Sequence, residues 1–206
     1  MQRLTRKGLL FTVFLVLAAW LLAPPLQAAT REYEIKAGFI YNFMRYVEWP
    51  RPASSWTVGV LGNDPFEGGL RDFEAKPLAG KSISVRALAD QKEAKTCQMI
   101  YIASSESSHL KTIFASLAGS QVLTVSDIPE FADKGGGIGL VTQNNRIRFI
   151  VNLDALKQAN LKADARFLNL AIRTISSNPD SQQIWNATTY LPPDGGMMNP
   201  SKLFGP

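Results

Sequence analysis

The run QMIYIA, residues 98–103, restricts the fold more than any other part of the sequence. After the initial glutamine every side chain is apolar or aromatic, so the run lacks the polar residue at every second position that a strand with one solvated face carries. A short, continuous apolar run is typical of a strand in the middle of a sheet that is covered on both faces. The sequence therefore predicts a buried central strand with other elements packed on both sides.

Further strands and helices are predicted along the chain. Short apolar or alternating runs predict strands at residues 56–62, 82–88, 121–125, 138–142 and 146–152, the last two joined as a hairpin through QNN. Apolar residues at helical spacing predict helices at residues 32–47, 65–73, 109–117, 128–131 and 163–175, and a short helix after Asn152. The predicted N-caps are Asp64, either Ser107 or Ser108, and Asp127. This alternation predicts an α/β fold, a single layered domain with a mixed parallel/antiparallel sheet flanked by helices.

The ends of the chain indicate an exported protein. Arg3, Arg6 and Lys7 precede an apolar stretch at residues 9–23, and the small residues of LQAA follow. This layout is typical of a cleaved signal peptide, here residues 1–29, with an uncleaved membrane anchor as the alternative. We expect an exported protein with one α/β domain over residues 30–176 and a disordered tail over residues 177–206.

The charge of the chain argues against a nucleic-acid partner. The 22 Lys and Arg residues outnumber the 17 Asp and Glu residues by five. Without the three basic residues of the signal peptide, 19 cations face 17 anions, a net charge of +2. A nucleic-acid interface needs a concentrated basic face, and the remaining cations are scattered.

The glycine-rich stretch DIPEFADKGGGIGLV is expected to be a structural turn. A dinucleotide fingerprint would need glycine where Leu140 or Thr142 stands, and no Gly-Lys-Ser/Thr follows for a phosphate loop. Phosphate cradles also lie at the start of a helix, whereas these glycines follow one and precede a strand. We therefore expect no nucleotide and no other cofactor.

Residues for catalysis and for metal binding are scarce. His109 is the only histidine and Cys97 the only cysteine, and no Gly-x-Ser-x-Gly elbow is present. A catalytic triad or a His/Cys metal site therefore lacks ligands, and the acidic residues form no dense cluster. We expect no catalytic triad and no metal site, with Cys97 as a small buried residue.

The strand at residues 146–152 separates apolar from polar side chains. Ile147, Phe149 and Val151 fall on one face, and Arg146, Arg148, Ile150 and Asn152 on the other. One interpretation is a solvated edge strand that its charges protect from aggregation. The other is a recognition surface for a carboxylate-bearing ligand or a partner protein.

Five blocks of sequence occur in an order that we also know from one protein family. They are EYEIKAGFIYNFMRYVEWP, VGVLGNDPF, CQMIYIA, VLTVSDIPEFADKGGGIGLV and RIRFIVNLDALKQANLKADARFLNLA. Together these blocks, spread over residues 32–171, resemble the YfiR family. An ordered set of blocks is more specific than any single motif.

The resemblance implies a periplasmic α/β regulator that is not an enzyme. The family's namesake binds the periplasmic region of an inner-membrane diguanylate cyclase, which restrains cyclic-di-GMP production and biofilm formation, and members can form homodimers. Cys97 stands where the family has the cysteine that opens its block. The namesake has further cysteines that form disulfides, whereas this chain has a single cysteine, so control by an internal disulfide is not expected.

The candidate partner-binding residues lie on the first helix, on the loop at residues 127–137 and on the arginine-bearing strand. They are Tyr41, Asn42, Arg45, Asp127, Arg146, Arg148 and Asn152. The expected partner is the periplasmic domain of an inner-membrane sensor or diguanylate cyclase, with a second copy of the chain as a further partner. The alternative is a periplasmic small-molecule binding protein whose pocket is lined by Phe39, Tyr41, Phe43 and Trp49.

Overall fold

The computed structural model describes residues 26–50 and 54–178, with side chains from Arg31 onwards. The chain divides into two compact units, Met1–Glu32 and Tyr33–Pro206. The described part of the first unit, residues 26–32, is helical. The predicted signal peptide and tail lie mostly outside the described residues and stay predictions.

The second unit is built on a seven-stranded sheet with the order β3-β2-β4-β5-β6-β7-β9. Its strands are β2 (Trp56–Leu61), β3 (Ile83–Leu88), β4 (Met99–Ile102), β5 (Leu123–Ser126), β6 (Ile138–Gln143), β7 (Arg146–Asn152) and β9 (Arg173–Ile175). Neighbouring strands are parallel except β6 and β7, which form an antiparallel hairpin. Two short strands, β1 (Val47–Glu48) and β8 (Lys162–Ala163), pair separately. The predicted mixed α/β fold is confirmed.

Helices cover both faces of the sheet. They are α1 (Leu26–Tyr46), α2 (Leu110–Leu117), α3 (Leu153–Gln158) and α4 (Ala165–Leu168), with 3-10 turns at Gly69–Ala75, Glu93–Thr96 and Ser104–Glu106. On β4, Met99 and Tyr101 join the hydrophobic cluster that contains α1, whereas Ile100 and Ile102 join the cluster that contains α2. The run QMIYIA is therefore the doubly covered strand that its composition predicted. Within the described ranges, no helix has the length and apolar character needed to span a membrane.

The hairpin turn is tighter than predicted. Asn144 and Asn145 both have positive φ angles, 50° and 58°. A pair of left-handed residues is the geometry of a two-residue turn whose twist matches that of the strands, and asparagine tolerates it. Gln143 therefore belongs to β6 and not to the loop.

The predicted helix at residues 163–175 is wrong. Only α4 forms, and the chain then enters β9, which pairs in parallel with β7. The β-branched residues Thr174 and Ile175 favour a strand where backbone partners are available. Because β9 pairs with β7 at residues 150–152, the interpretation of residues 146–152 as a solvated edge strand is wrong for that end of the strand, whereas Arg146 and Arg148 have no strand partner on that side among the described residues.

The predicted helix caps were only partly correct. Asp64 accepts a hydrogen bond from the Phe66 N–H at 2.8 Å, but a 3-10 turn follows instead of an α-helix. Residue His109, and neither Ser107 nor Ser108, stands at the N-cap of α2, without a side-chain hydrogen bond. No helix follows Asp127, because the Ile128 N–H is satisfied by the Ser126 hydroxyl at 3.0 Å, and the Asp127 carboxylate binds elsewhere.

The glycines after Asp127 form a turn that packs against the core. Gly135 has a φ of 104°, a left-handed conformation that favours glycine. A Cβ on Gly136 would overlap the ring of Phe131, and one on Gly137 would lie 3.0 Å from the Thr124 carbonyl oxygen. Glycine is therefore required at position 135 for its backbone conformation, and at positions 136 and 137 because neighbouring atoms approach the backbone closely.

Replacing Gly136 by Ala is expected to lower the free energy of unfolding by about 2 kcal/mol. The Phe131 ring is 1% exposed and cannot move aside without disturbing Phe114, whose ring centroid lies 5.6 Å away. Urea denaturation followed by circular dichroism measures the loss. Gly69→Ala is the matched control, since no atom lies within 4 Å of the added methyl group. Equal stability of the two variants would contradict the proposed overlap.

Candidate functional site

A carboxylate at the end of β5 is held by three donors. Asp127 Oδ2 accepts hydrogen bonds from Lys36 Nζ at 2.6 Å and from the Tyr33 hydroxyl at 2.9 Å. Its Oδ1 accepts from the Tyr101 hydroxyl at 2.6 Å. The Lys36 side chain is 5% exposed and that of Asp127 13%, so an ion pair is buried here. We call these four residues the Asp127 cluster.

The local sequence explains why these groups meet. On α1, Lys36 lies four residues before Ile40 and so faces the sheet with the apolar side chains of that helix. Tyr101 points to the same face from β4, and Asp127 follows β5 at the carboxyl edge of the parallel strands. The cluster therefore joins α1 to the ends of two central strands.

Aromatic rings surround the ion pair. The Phe66 ring packs edge-on against Tyr101 at 4.7 Å and against Tyr33 at 5.3 Å between centroids. Lys36 Nζ lies 4.3 Å from the centroid of the Tyr33 ring, within the range of a cation–π contact. These rings limit the access of water, which strengthens the attraction between the two charges.

The surroundings set the protonation state of the cluster. Burial alone would raise the pKa of the Asp127 carboxyl, but the hydrogen bonds from Lys36 and Tyr101 and the charge of Lys36 outweigh it, so the pKa is lowered from 3.8. Burial is the main cause that raises the pKa of the Tyr101 phenol, and the charge of Asp127 adds to the effect. At neutral pH the cluster therefore holds an ionised Asp127 and a neutral Tyr101.

Asn152, one of the predicted partner-binding residues, makes its side-chain hydrogen bonds within the protein. Its Nδ2 donates to the Ala132 carbonyl at 2.8 Å, and its Oδ1 accepts from the Ala155 N–H at 3.0 Å, which caps α3. The side chain is buried. Asn152 therefore anchors the loop after Asp127 to the start of α3.

The predicted contacts on α1 differ in accessibility. Tyr41 is half-buried, with its ring centroid 5.3 Å from that of Phe73. Asn42 is buried and donates to the Gly38 carbonyl at 2.9 Å. Arg45 alone of the three is exposed. A role of these residues in binding a partner stays a prediction.

Arg146 and Arg148 lie on a sheet surface that the described helices leave open. In the register of β6 and β7, Val141 is opposite Arg148, and Ile150 is next to Arg173 of β9. Val141, Arg148 and Ile150 are half-buried, yet neither hydrophobic cluster of the described residues includes Val141 or Ile150. We call this surface the arginine face; its members are Val141, Arg146, Arg148, Ile150 and Arg173.

The arginine face is tied to the loop after Asp127. Both guanidinium NH2 groups of Arg173 donate to the Asp133 carboxylate, at 2.8 and 2.6 Å. Hydrogen bonding to Arg173 lowers the pKa of the Asp133 carboxyl. Arg146 and Arg148 form no ion pair with any described residue. Their guanidinium groups are thus available to an external carboxylate.

Sequence reasoning missed three of the four residues in the Asp127 cluster. Asp127 was singled out, but as a helix cap and a partner contact. The signal that could have identified Lys36 is a charged residue on the apolar side of an amphipathic helix, because a buried charge requires a partner. Nothing local pointed to Tyr33 or Tyr101.

The aromatic residues proposed to line a pocket belong to the core. Phe39 and Phe43 pack against Phe149 with ring centroids 5.9 and 5.3 Å apart. The Trp49 indole N–H donates to the carbonyls of Gln98 and Gln121 at 3.2 and 3.1 Å. Phe39, Phe43 and Trp49 therefore hold α1 and the following segment on the sheet.

Cys97 and His109 also have ordinary structural surroundings. Cys97 is buried and unpaired, as predicted. His109 Nδ1 lies 3.0 Å from Glu106 Oε2, one turn earlier in the chain. Among the described residues, no three side chains of His, Cys, Asp or Glu come together to hold a metal ion.

The chain belongs to the family described as YfiR/HmsC-like. The model of that family matches residues 33–172, which contain the seven-stranded sheet without β9, the Asp127 cluster, and the arginine face without Arg173. The resemblance inferred from the five sequence blocks is confirmed.

Two solved structures are similar to this chain at low sequence identity. A conserved domain protein of Vibrio cholerae O1 biovar El Tor is similar with a TM-score of 0.50 and 13% identity, over 69% of this chain and 60% of that protein. A Streptococcus pneumoniae ABC domain in complex with L-Trp matches at a TM-score of 0.44 and 13% identity, over 58% of this chain and 55% of that protein. This chain thus spans less than two thirds of the length of either structure.

Proposed function

We propose that this chain is an exported, non-enzymatic regulator that binds the periplasmic region of an inner-membrane signalling protein. In the finer form of the proposal, the bound protein is a diguanylate cyclase and binding represses it, which lowers cyclic-di-GMP and biofilm formation. Membership of the YfiR/HmsC-like family supports the class of function. The structural observation that carries a partner-binding role is the arginine face.

The arginine face has the composition of a protein interface. Arginine is enriched in interfaces because its planar guanidinium group binds carboxylates through two hydrogen bonds and its stem packs on apolar surface. Arg148 stands between the half-buried apolar residues Val141 and Ile150. A partner segment with a carboxylate beside apolar side chains would complement this arrangement.

Repression requires that the two states of the cyclase bind this chain unequally. A ligand shifts a conformational equilibrium only by its difference in affinity for the two states. Moving a population from mostly active to mostly inactive needs a preference of about 10⁴-fold. An envelope signal that weakens binding would then release the cyclase.

Deletion of the gene is expected to raise cellular cyclic-di-GMP, and the tagged protein is expected to recover a membrane signalling protein from solubilised membranes. The nucleotide is measured by mass spectrometry, with the gene restored on a plasmid as the control. An unchanged nucleotide level together with no membrane partner would overturn the proposal. Recovery of a membrane sensor that is not a cyclase would support the proposed regulatory function and would exclude a diguanylate cyclase as the partner.

Replacing Arg148 by Glu is expected to weaken binding of that membrane protein about tenfold or more, without a lower melting temperature. Arg148 forms no ion pair with the described residues, so the fold loses little. Arg71→Glu makes the same change of charge at an exposed site outside the arginine face. Equal binding by the two variants would remove the arginine face from the interface.

Light scattering of the wild type tests the predicted homodimer.

A further inference from the structure

A cleft opens at the carboxyl ends of β2 and β3, away from the Asp127 cluster and the arginine face. Its volume is about 470 Å³, which lies within the range of about 300–1,000 Å³ typical of small-molecule sites. The walls come from the turns after β2 and β3 and from the start of α2. The polar wall residues are Asn63, Asp90, Gln91, Glu106, His109 and Thr112.

The cleft adjoins the point where the chain connections reverse direction. After β2 the chain continues to β3 on one side, whereas after β4 it continues to β5 on the other. Open α/β sheets bind ligands at the carboxyl ends of strands beside such a reversal. The turn is fixed there, because Gly62 has a φ of 90° and the Asn63 N–H donates to the Ser105 hydroxyl at 3.0 Å.

The lining combines two carboxylates with an apolar floor. Asp90 and Glu106 line the cleft, Glu106 Oε2 lies 3.0 Å from His109 Nδ1, and no lysine or arginine is among the described lining residues. Asp90 Oδ1 accepts backbone hydrogen bonds from Lys92 and Glu93 at 2.7 and 3.1 Å, which fix that carboxylate in place. The buried side chains of the floor are Leu61, Leu88 and Ile113.

We propose that this cleft is a binding site for a small aliphatic amine. The ammonium group would form charge-assisted hydrogen bonds with Glu106 and Asp90, and the hydrocarbon chain would cover Leu61, Leu88 and Ile113. An anionic ligand is disfavoured, because it would face two carboxylates, and among the described lining residues only His109, beside Glu106, can carry a positive charge to offset them. This site is separate from the arginine face and does not depend on the proposed function.

Titration calorimetry of the purified protein with putrescine tests the site. We expect one saturable binding event that weakens as the salt concentration rises, because ions screen the attraction at an open cleft. Butane-1,4-diol has the same carbon chain without charge, and succinate carries the opposite charge. Neither is expected to bind. Absence of saturation by putrescine up to millimolar concentration, or equal binding of the diol, would overturn the proposal.

Substitutions locate the binding event. Glu106→Gln is expected to weaken putrescine binding about tenfold, the loss of one charge-assisted contact. Asp72→Asn removes one carboxylate from an exposed position outside the cleft and is the matched control. Thermal melts confirm that both variants are folded. Equal weakening by the two substitutions would show a diffuse charge effect and reject the site. Because no membrane partner takes part, this outcome is independent of the proposed regulator function.

Discussion

Replacing Lys36 by Met is expected to lower the free energy of unfolding by about 3 kcal/mol at neutral pH. The methionine keeps most of the apolar stem but removes the ammonium group that lies 2.6 Å from Asp127 Oδ2. The Asp127 carboxylate would then remain beside aromatic rings without a positive partner. Removal of one member of a buried ion pair is costly because the other charge stays desolvated. Urea denaturation at several pH values measures the loss.

The pH dependence of the stability loss shows whether the unpaired charge of Asp127 causes it. In the wild type the pKa of Asp127 is lowered from 3.8, so the pair stabilises the fold above that pH and this stability is lost as the pH falls through the folded value. Without Lys36, burial is the strongest remaining influence, and it raises the pKa of the carboxyl. The difference between variant and wild type should therefore begin to shrink as the pH falls through the raised pKa of the carboxyl in the variant, and should shrink further below pH 3.8 as the wild-type carboxyl becomes protonated and needs no cation.

A matched lysine provides the control. Lys134 lies 3.6 Å from Glu130 with a side chain that is 47% exposed, so Lys134→Met should change stability by less than about 1 kcal/mol. The double variant Lys36→Met with Asp127→Asn should recover part of the loss, since no uncompensated charge remains. A loss that persists unchanged at acid pH would contradict an ionised pair at this site.

The local sequence pattern was sufficient to predict those elements whose structure depends mainly on their own residues. The continuous apolar run around Tyr101 predicted the buried central strand, and the spacing of Ile40 and Phe43 predicted α1. The asparagines of the hairpin turn indicated β6 and β7. In each case the period of apolar residues or the backbone preference of a turn residue is a property of the segment itself.

Long-range pairing decided the features that the sequence did not reveal. Apolar residues near Phe167 have helical spacing, but Arg173–Ile175 forms a strand because the free side of β7 offers backbone partners. Asp127 matches a helix cap locally, yet Lys36, 91 residues away, holds its carboxylate. Contacts of this kind depend on the assembled sheet, and a single sequence contains no direct signal for them.

Replacing Phe43 by Ala is expected to cause the largest loss of stability, about 4 kcal/mol. The side chain is fully buried, and its ring centroid lies 5.3 Å from that of Phe149 and 5.4 Å from that of Phe167. Truncation would leave a cavity between α1, β7 and α4 and would remove edge-to-face ring contacts. Since small domains are stable by only about 5–15 kcal/mol, the variant should unfold at far lower urea concentration.

This result separates a core role from a ligand-binding role for the aromatic residues of α1. Ile35 lies on the same helix and is 46% exposed, so Ile35→Ala should cost less than about 0.5 kcal/mol. Phe43→Leu retains an apolar side chain and should fall between the two alanine variants. If Phe43 instead lined a ligand pocket, Phe43→Ala would change stability little more than Ile35→Ala does. A large loss in the absence of any ligand would assign Phe43 to the hydrophobic core that holds α1 on the sheet.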